Sequence, residues 1–358
     1  MFYREAGQFK TSYEADQAIF PILQDRIGLA LIVAVAFLVP LFGSDFFLNS
    51  IMIPFLIFAL AAIGLNILTG YCGQLSLGTG AFMGVGAYAC YKLTTIFPDV
   101  NILVHILLSG FFAAAIGCVF GLPSLRIKGL YLAITTLAAQ FFLEWCFIRI
   151  GWLYNYNDSG AIEVPGRQLF GIDITGASAT PMARYYVILL LVVALTWIAS
   201  NVIRGRIGRS WMMIRDMDIA AELMGIRPLF AKLSAFAMSS YYCGVAGALM
   251  VFMWLGAAEV ESFDINVSFQ VLFMVIIGGL GSLIGCFLGA AFIWALPILI
   301  RAFPSFVGLE IGSATVEHIS AVVIGALIIL FLIVEPHGFA RLWQIGKEKL
   351  RTWPFPYN

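Results

Sequence analysis

The sequence predicts an all-α integral membrane protein with about ten transmembrane helices, some short or broken by glycine, and both termini cytoplasmic. Three observations carry that expectation. First, 61% of the 358 residues are hydrophobic and only 11% are charged, with a mean hydropathy of +0.97. A soluble domain carries roughly 25% charged residues, so this chain cannot cover a water-facing surface of its size. Second, apolar runs recur at 27–43, 51–69, 79–96, 102–120, 130–150, 185–203, 233–256, 268–280, 286–301 and 318–334. Several are shorter than the ~20 residues a helix needs to span a bilayer. Short, glycine-broken segments belong where helices pack closely or line a cavity. Third, the cations are one-sided. With the N-terminus inside, the inner loops and tails hold Arg4, Lys10, Arg26, Arg126, Lys128, six cations between Arg204 and Lys232, and Arg341, Lys347, Lys349 and Arg351, fifteen of twenty. Only Lys92, Arg149, Arg167, Arg184 and Arg301 fall outside or near the outer interface. Positive loops stay cytoplasmic.

The chain divides into a cytoplasmic N-terminal tail (1–26), a transmembrane domain (27–334) with a basic cytoplasmic loop at 204–232, and a cytoplasmic C-terminal tail (335–358). The first 26 residues are polar and mixed in charge, unlike a secretory signal. Net charge is zero and no dense basic run exists, so nothing points to nucleic acid. Cys72, Cys90, Cys118, Cys146, Cys243 and Cys286 are scattered through apolar segments without a CxxC spacing, and read as small packing residues.

The third segment is the first informative one. Six glycines fall between Gly70 and Gly86, among them the GxxxG pair Gly80 and Gly84. In a membrane such glycines let backbones approach closely. Gln74, Ser76 and Thr79 add polar groups that hydrocarbon penalises unless they meet a cavity or a neighbour. Two readings stand: a broken helix lining a path, or a tight helix contact. The fourth and fifth segments are joined by a link whose Arg126 and Lys128 place it inside. Thr135, Thr136 and Gln140 give the fifth segment a polar side. Glu144 is the one carboxylate well within an apolar run, and it either meets a pathway or partner or reaches interfacial water ~9 Å away, at 1.5 Å per residue. The loop 151–184, with 257–266 and 302–317, forms an external face, either a dock for a soluble partner or ordinary solvated loops.

The basic loop follows. Within it Ser210–Met224 reads as a short helix. Ile214, Met217, Ala221 and Met224 fall on one face at three- and four-residue spacing, and Gly225 supplies a stop. Such a helix either docks into a groove on another protein or rests on lipid. In the ninth segment Gly281, Gly285 and Gly289 recur every four residues, and Gly285–Gly289 repeats the G-x-F-[ML]-G of Gly80–Gly84. A weak internal duplication suits a transporter of two related halves. The tail from Glu335 has Trp and Arg/Lys suited to the inner interface and to membrane lipid.

No phosphate-cradling GxxxxGK[ST] occurs; the only Gly-Lys pair, Gly346-Lys347, is followed by Glu348. His105, His318 and His337 are far apart, with no HExxH. The reading is therefore a non-enzyme without a cofactor, catalytic residue or metal site of its own.

Three stretches carry a resemblance. Arg215-Asp216-x-x-Ile219-Ala220-Ala221-Glu222-x-x-Gly225-Ile226 resembles the coupling-loop signature of ABC-importer permeases. GQxSxGxGAFMGxGAY, from Gly73 to Tyr88, and RIKGLYLAITTLA, from Arg126, are similar to the LivM-type permease family of branched-chain amino-acid importers. The resemblance covers about residues 50–340. It implies one permease subunit in a bacterial inner (cytoplasmic) membrane. Its partners would be a LivH-like second permease, LivG-like and LivF-like ATPases that hold ATP and Mg, and a periplasmic substrate-binding protein. It implies Arg215, Asp216, Ala221, Glu222 and Gly225 for coupling and Gln74, Ser76, Gly78 and Gly80 for the path, while the four-residue glycine spacing assigns Gly84, Gly281, Gly285 and Gly289 to helix packing. Related permeases carrying urea or short amides are an alternative cargo class. A stand-alone secondary carrier needs ionisable groups inside the membrane, and only Glu144 is a candidate. A scaffold that moves nothing is the third class.

Overall fold

The computed structural model describes residues 11–12, 23–124, 131–157, 159–169, 171–176, 179–306, 313–334 and 338–352. Most of the N-terminal tail, residues 125–130 with Arg126 and Lys128, Asp158, Phe170, 177–178, 307–312 and the start and end of the C-terminal tail lie outside them. The helices are α1 (Leu23–Phe42), α2 (Asp45–Tyr71), α3 (Thr79–Ile96), α4 (Ile102–Ser124), α5 (Tyr131–Arg149), α6 (Pro181–Arg204), α7 (Arg206–Leu223), α8 (Pro228–Leu255), α9 (Val260–Gly278), α10 (Leu283–Phe306), α11 (Ser313–Val334) and α12 (Gly338–Thr352). Each of the ten apolar segments overlaps one helix. Among the described residues seven helices, α2, α4, α5, α6, α8, α9 and α10, are long and apolar enough to cross a membrane. The chain is a helical membrane protein.

Several helices start earlier than hydropathy indicates, because caps rather than apolar content set their ends. Thr180 accepts a hydrogen bond from the Ala183 amide, with Pro181 next to it, and so opens α6 before its apolar run. Asp264 does the same for Val267, opening the α-helical part of α9, Ile265–Gly278, after a 3-10 turn at Val260–Phe263. Pro228 occupies the first position of α8, where a missing N–H costs nothing. Two antiparallel two-residue ribbons depart from the all-helical expectation. Ile162–Glu163 pairs with Ala257–Ala258, and Gln168–Leu169 with Ile172–Asp173. The first ties the 151–184 loop to the 257–266 loop.

The core forms where α8 packs on α2, α3 and α4. Lipid tails are as apolar as leucine, so helices here adhere by close packing rather than by escape from water. One very close approach is between α3 and α8. A Cβ on Gly86 would strike the backbone of Gly244, and one on Gly247 would strike that of Met83. Around this contact Tyr88 stacks on Phe147 at 4.5 Å between ring centroids, and Phe58 stacks on Trp294 at 5.3 Å. A second tight contact joins α9 to α10, where Gly285 and Gly289 lie against the backbones of Gly278 and Met274.

Candidate functional site

Two helix ends inside this bundle are interrupted at glycine. The first lies between α2 and α3. The last five residues of α2, Ile67–Tyr71, widen into a π turn, and residues 72–78 are not helical. Gly73 turns the chain at φ +70°, a conformation that costs an L-residue about 1–2 kcal/mol. The new helix then starts with amides that have no intrahelical partner. In an apolar surrounding such groups need acceptors. The Leu77 amide donates to Thr136 Oγ1 (2.9 Å), that of Gly80 to Ser268 Oγ (2.7 Å) and that of Ala81 to Gln140 Oε1 (2.8 Å). Gln140 is fully buried. Its Oε1 also accepts from Ser268 Oγ (3.0 Å), and its Nε2 donates to Phe263 O and Glu144 Oε1, both at 2.7 Å. Side chains of α5 and α9 thus close the broken end of α3.

The path candidates fall on this break. Gly78 abuts the Thr136 carbonyl, and Gly80 abuts the Phe263 and Asp264 carbonyls, where a Cβ would come within 2.7–2.9 Å of each. Ser76 is buried, with Oγ at 3.5 Å from the Gly78 amide. Gln74 is half-buried, and its amide reaches only the Gly73 carbonyl at 3.5 Å. Gly84 faces the Phe147 and Phe263 rings. Glu144 is half-buried and joined to Gln140.

The second break lies between α9 and α10, with Gly279 at φ +112° and Gly281 at φ +77°. The buried Asn66 spans the gap to it. Its Oδ1 accepts from the Gly281 amide (2.9 Å) and its Nδ2 donates to Ser282 O (3.1 Å). Gly281 is therefore a turn residue, whereas Gly285 and Gly289 are helical. The G-x-F-[ML]-G repeat falls at the opening turns of α3 and of α10, each just after a break.

Beside both breaks lies α7. It runs from Arg206 rather than Ser210, and it is interrupted at Met217, whose φ −160° and ψ 100° are extended backbone. Its first part is anchored by Trp211, 1% exposed, whose Nε1 donates to Ser234 Oγ of α8 at 2.9 Å. Its second part ends in a Schellman motif: the Gly225 amide bonds Glu222 O (2.9 Å) and the Ile226 amide bonds Ala221 O (3.1 Å), with Gly225 at φ +87°. The single face expected from Ile214, Met217, Ala221 and Met224 is corrected here. Ile214 and Ala221 are buried, while Met217 and Met224 are about two-thirds exposed at 65% and 64%. The interruption at Met217 changes the phase of the helix, so a continuous 3.6-residue period does not run through it. The exposed apolar set is instead Met217, Ile219, Leu223, Met224 and Phe230. A cleft of about 340 Å³ adjoins it, lined by Glu222 and residues 225–230. Asp216, Glu222 and Gly225 are exposed, and Ala221 is buried. Arg215 lies at the bundle surface, 37% exposed, with one end turned inward: its Nη1 donates to Gly70 O at 2.9 Å, and its Nε and Nη2 both meet Asp216 Oδ1 at 2.9 Å.

Among the described residues no group of three or more His, Cys, Asp or Glu side chains could hold a metal ion. The sequence reading missed Asn66 and Ser268, and it missed Met217 as a break. Asn66 had a signal, being an amide in the middle of an apolar run.

A membrane-crossing bundle with two helices broken inside it, and an exposed apolar segment hinged beside the breaks, has the construction of a membrane transport protein. Residues 47–332 match the family described as branched-chain amino acid transport system / permease component. The chain is also 31% identical over 306 residues to the high-affinity branched-chain amino acid transport system permease protein LivM of Salmonella typhimurium, and equally to that of Escherichia coli. Those alignments cover 79% of this chain and 67% of each relative. The chain belongs to this permease family.

Proposed function

We propose that the chain is one permease subunit of an ATP-driven importer for branched-chain or other hydrophobic amino acids. The family match over residues 47–332 is the observation that carries this reading. A LivH-like permease would supply the other wall of the path. LivG-like and LivF-like ATPases would supply the energy, and a periplasmic binding protein would deliver cargo in a bacterial inner membrane. The ten segments then span the membrane with both termini inside; among the described residues seven of them are long and apolar enough to do so independently. The segment after Met217 offers an ATPase an apolar, solvent-exposed knob, with Leu223 at 85% exposure. This chain's work is to hold the two breaks, receive movement through α7, and pass it to α3 and α10.

The test is uptake of labelled leucine and labelled urea in cells with and without the chain. Loss of leucine uptake alone supports the proposal. Loss of urea uptake alone moves the cargo to short amides. Transport that persists in nucleotide-free vesicles, with no ATPase retained in mild detergent, overturns the ATP-driven reading in favour of a secondary carrier.

A further inference from the structure

We propose that Arg215 is a latch, a positioning residue that fastens α7 to both glycine breaks, so that movement of the segment after Met217 releases the two together. This deepens the proposed function and rests on it for the source of the movement. The geometry itself stands apart from it.

Gly70 lies in the last turn of α2, where carbonyls have run out of intrahelical donors. The Arg215 guanidinium supplies one, through Nη1 at 2.9 Å. The stem of Arg215 lies on Gly73, where a Cβ would come within 2.9 Å of Cγ, so the turn after α2 is shaped to receive this side chain. Nη1 also lies 3.5 Å from where a Cβ on Gly281 would point, and Gly70 O lies at the same distance. The guanidinium thus stands where the ends of α2 and α9 meet. One turn before Gly70, Asn66 bonds both Gly281 and Ser282. Arg215 and Asn66 therefore hold the two breaks against each other from neighbouring positions. Arg215 precedes the extended residue Met217 by two positions, so any tilt of 218–223 acts on it with almost no intervening helix. Asp216, 67% exposed, takes the remaining edge of the guanidinium and orients it. A planar fork can serve Gly70 and Asp216 at once, and a lysine ammonium cannot hold that geometry. An arginine that gripped an ATPase directly would present its fork outward. Here three of its N–H groups are directed to this chain's own oxygens.

The experiment compares the full chain with Arg215→Gln and Arg215→Lys by amide hydrogen exchange in lipid nanodiscs. The Gly281 amide, bonded to Asn66, and the Gln74 amide, bonded to Leu68 O, report the two breaks. The Ala81 amide, bonded to Gln140, reports whether the bundle is intact. We expect exchange at Gly281 and Gln74 to rise at least tenfold in Arg215→Gln, and by less in Arg215→Lys, with Ala81 unchanged. No rise at either break overturns the latch, and so does a rise that Ala81 shares in both variants. In the assembled importer, Arg215→Gln should retain its ATPases and hydrolyse ATP while amino-acid uptake per ATP falls at least fivefold. Loss of the ATPases with unchanged exchange would make Arg215 a docking residue and overturn the latch. A wild-type chain that binds no ATPase would overturn the proposed function, and the exchange result would still decide on the latch.

Discussion

Gln140→Leu removes the residue that closes the broken end of α3. The substitution keeps the volume close and deletes four hydrogen bonds. It leaves the Ala81 amide and the Phe263 carbonyl without partners inside the bundle. Ser268 can rotate its hydroxyl, and the half-buried Glu144 is nearer to water, so those two losses are smaller. A buried backbone group left unsatisfied costs about 1–3 kcal/mol, and two such groups cost roughly 2–6 kcal/mol on that scale. Net folding stabilities are about 5–15 kcal/mol, so the loss is a large share of the total. At roughly 2–4 °C per kcal/mol for chains of 150–250 residues, the melting temperature in detergent should fall by about 4–24 °C. Thr135→Val is the control: Thr135 is half-exposed and donates only to Tyr131 O of its own helix, so its cost should stay within about 0.5 kcal/mol. Thermal denaturation followed by size-exclusion chromatography reads both variants. A Gln140→Leu chain that melts within about 2 °C of the wild type, below the smallest shift expected, would show that the amide cluster is not what holds α3 in place.

Three further outcomes follow from the same geometry. Gly86→Val forces α3 away from α8, since even a Cβ strikes the Gly244 backbone; the monodisperse peak in detergent should be lost, whereas Gly346→Ala, in open space, should keep it. Gly225→Ala meets no neighbour but holds φ at +87°, so it should cost about 1–2 kcal/mol, read as a lower melting temperature with the peak shape unchanged. Leu223→Asp and Glu222→Lys alter exposed positions; each should leave the melting temperature within a degree or two and weaken ATPase co-purification about tenfold, worth ~1.4 kcal/mol.

The helices were legible because hydrocarbon imposes one simple demand, an apolar run of sufficient length. What the sequence hid is mostly long-range. Gln140 was visible as a polar group in an apolar helix, but its partners lie 59, 123 and 128 residues away, and no local pattern encodes that meeting. Arg215 belongs to the coupling signature in the sequence, and its contact with Gly70 spans 145 residues. The face expected on α7 failed for a different reason. Periodicity assumes an unbroken helix, and Met217 carries no glycine or proline to announce the interruption. Gly80 and Gly84 form a GxxxG pair, yet the tight backbone contacts of α3 with α8 put Gly86 against Gly244 and Gly247 against Met83. Small residues announce that something approaches, and not which helix it is.

The position of α3 bears on how the protein is made. This helix is buried along nearly its whole length, yet it is not among the seven that are apolar enough to cross a membrane. Its glycines, Lys92 and the open amides at its start suit a protein interior and would be poorly solvated by lipid alone. Such a segment has no stable place in the bilayer until α8, α5 and α9 offer it one, and those helices are translated later. Of its partners only α4 is made directly after it, and α8, which packs on it most, comes later, so the final seating of α3 is expected to be a step of assembly more than of partitioning.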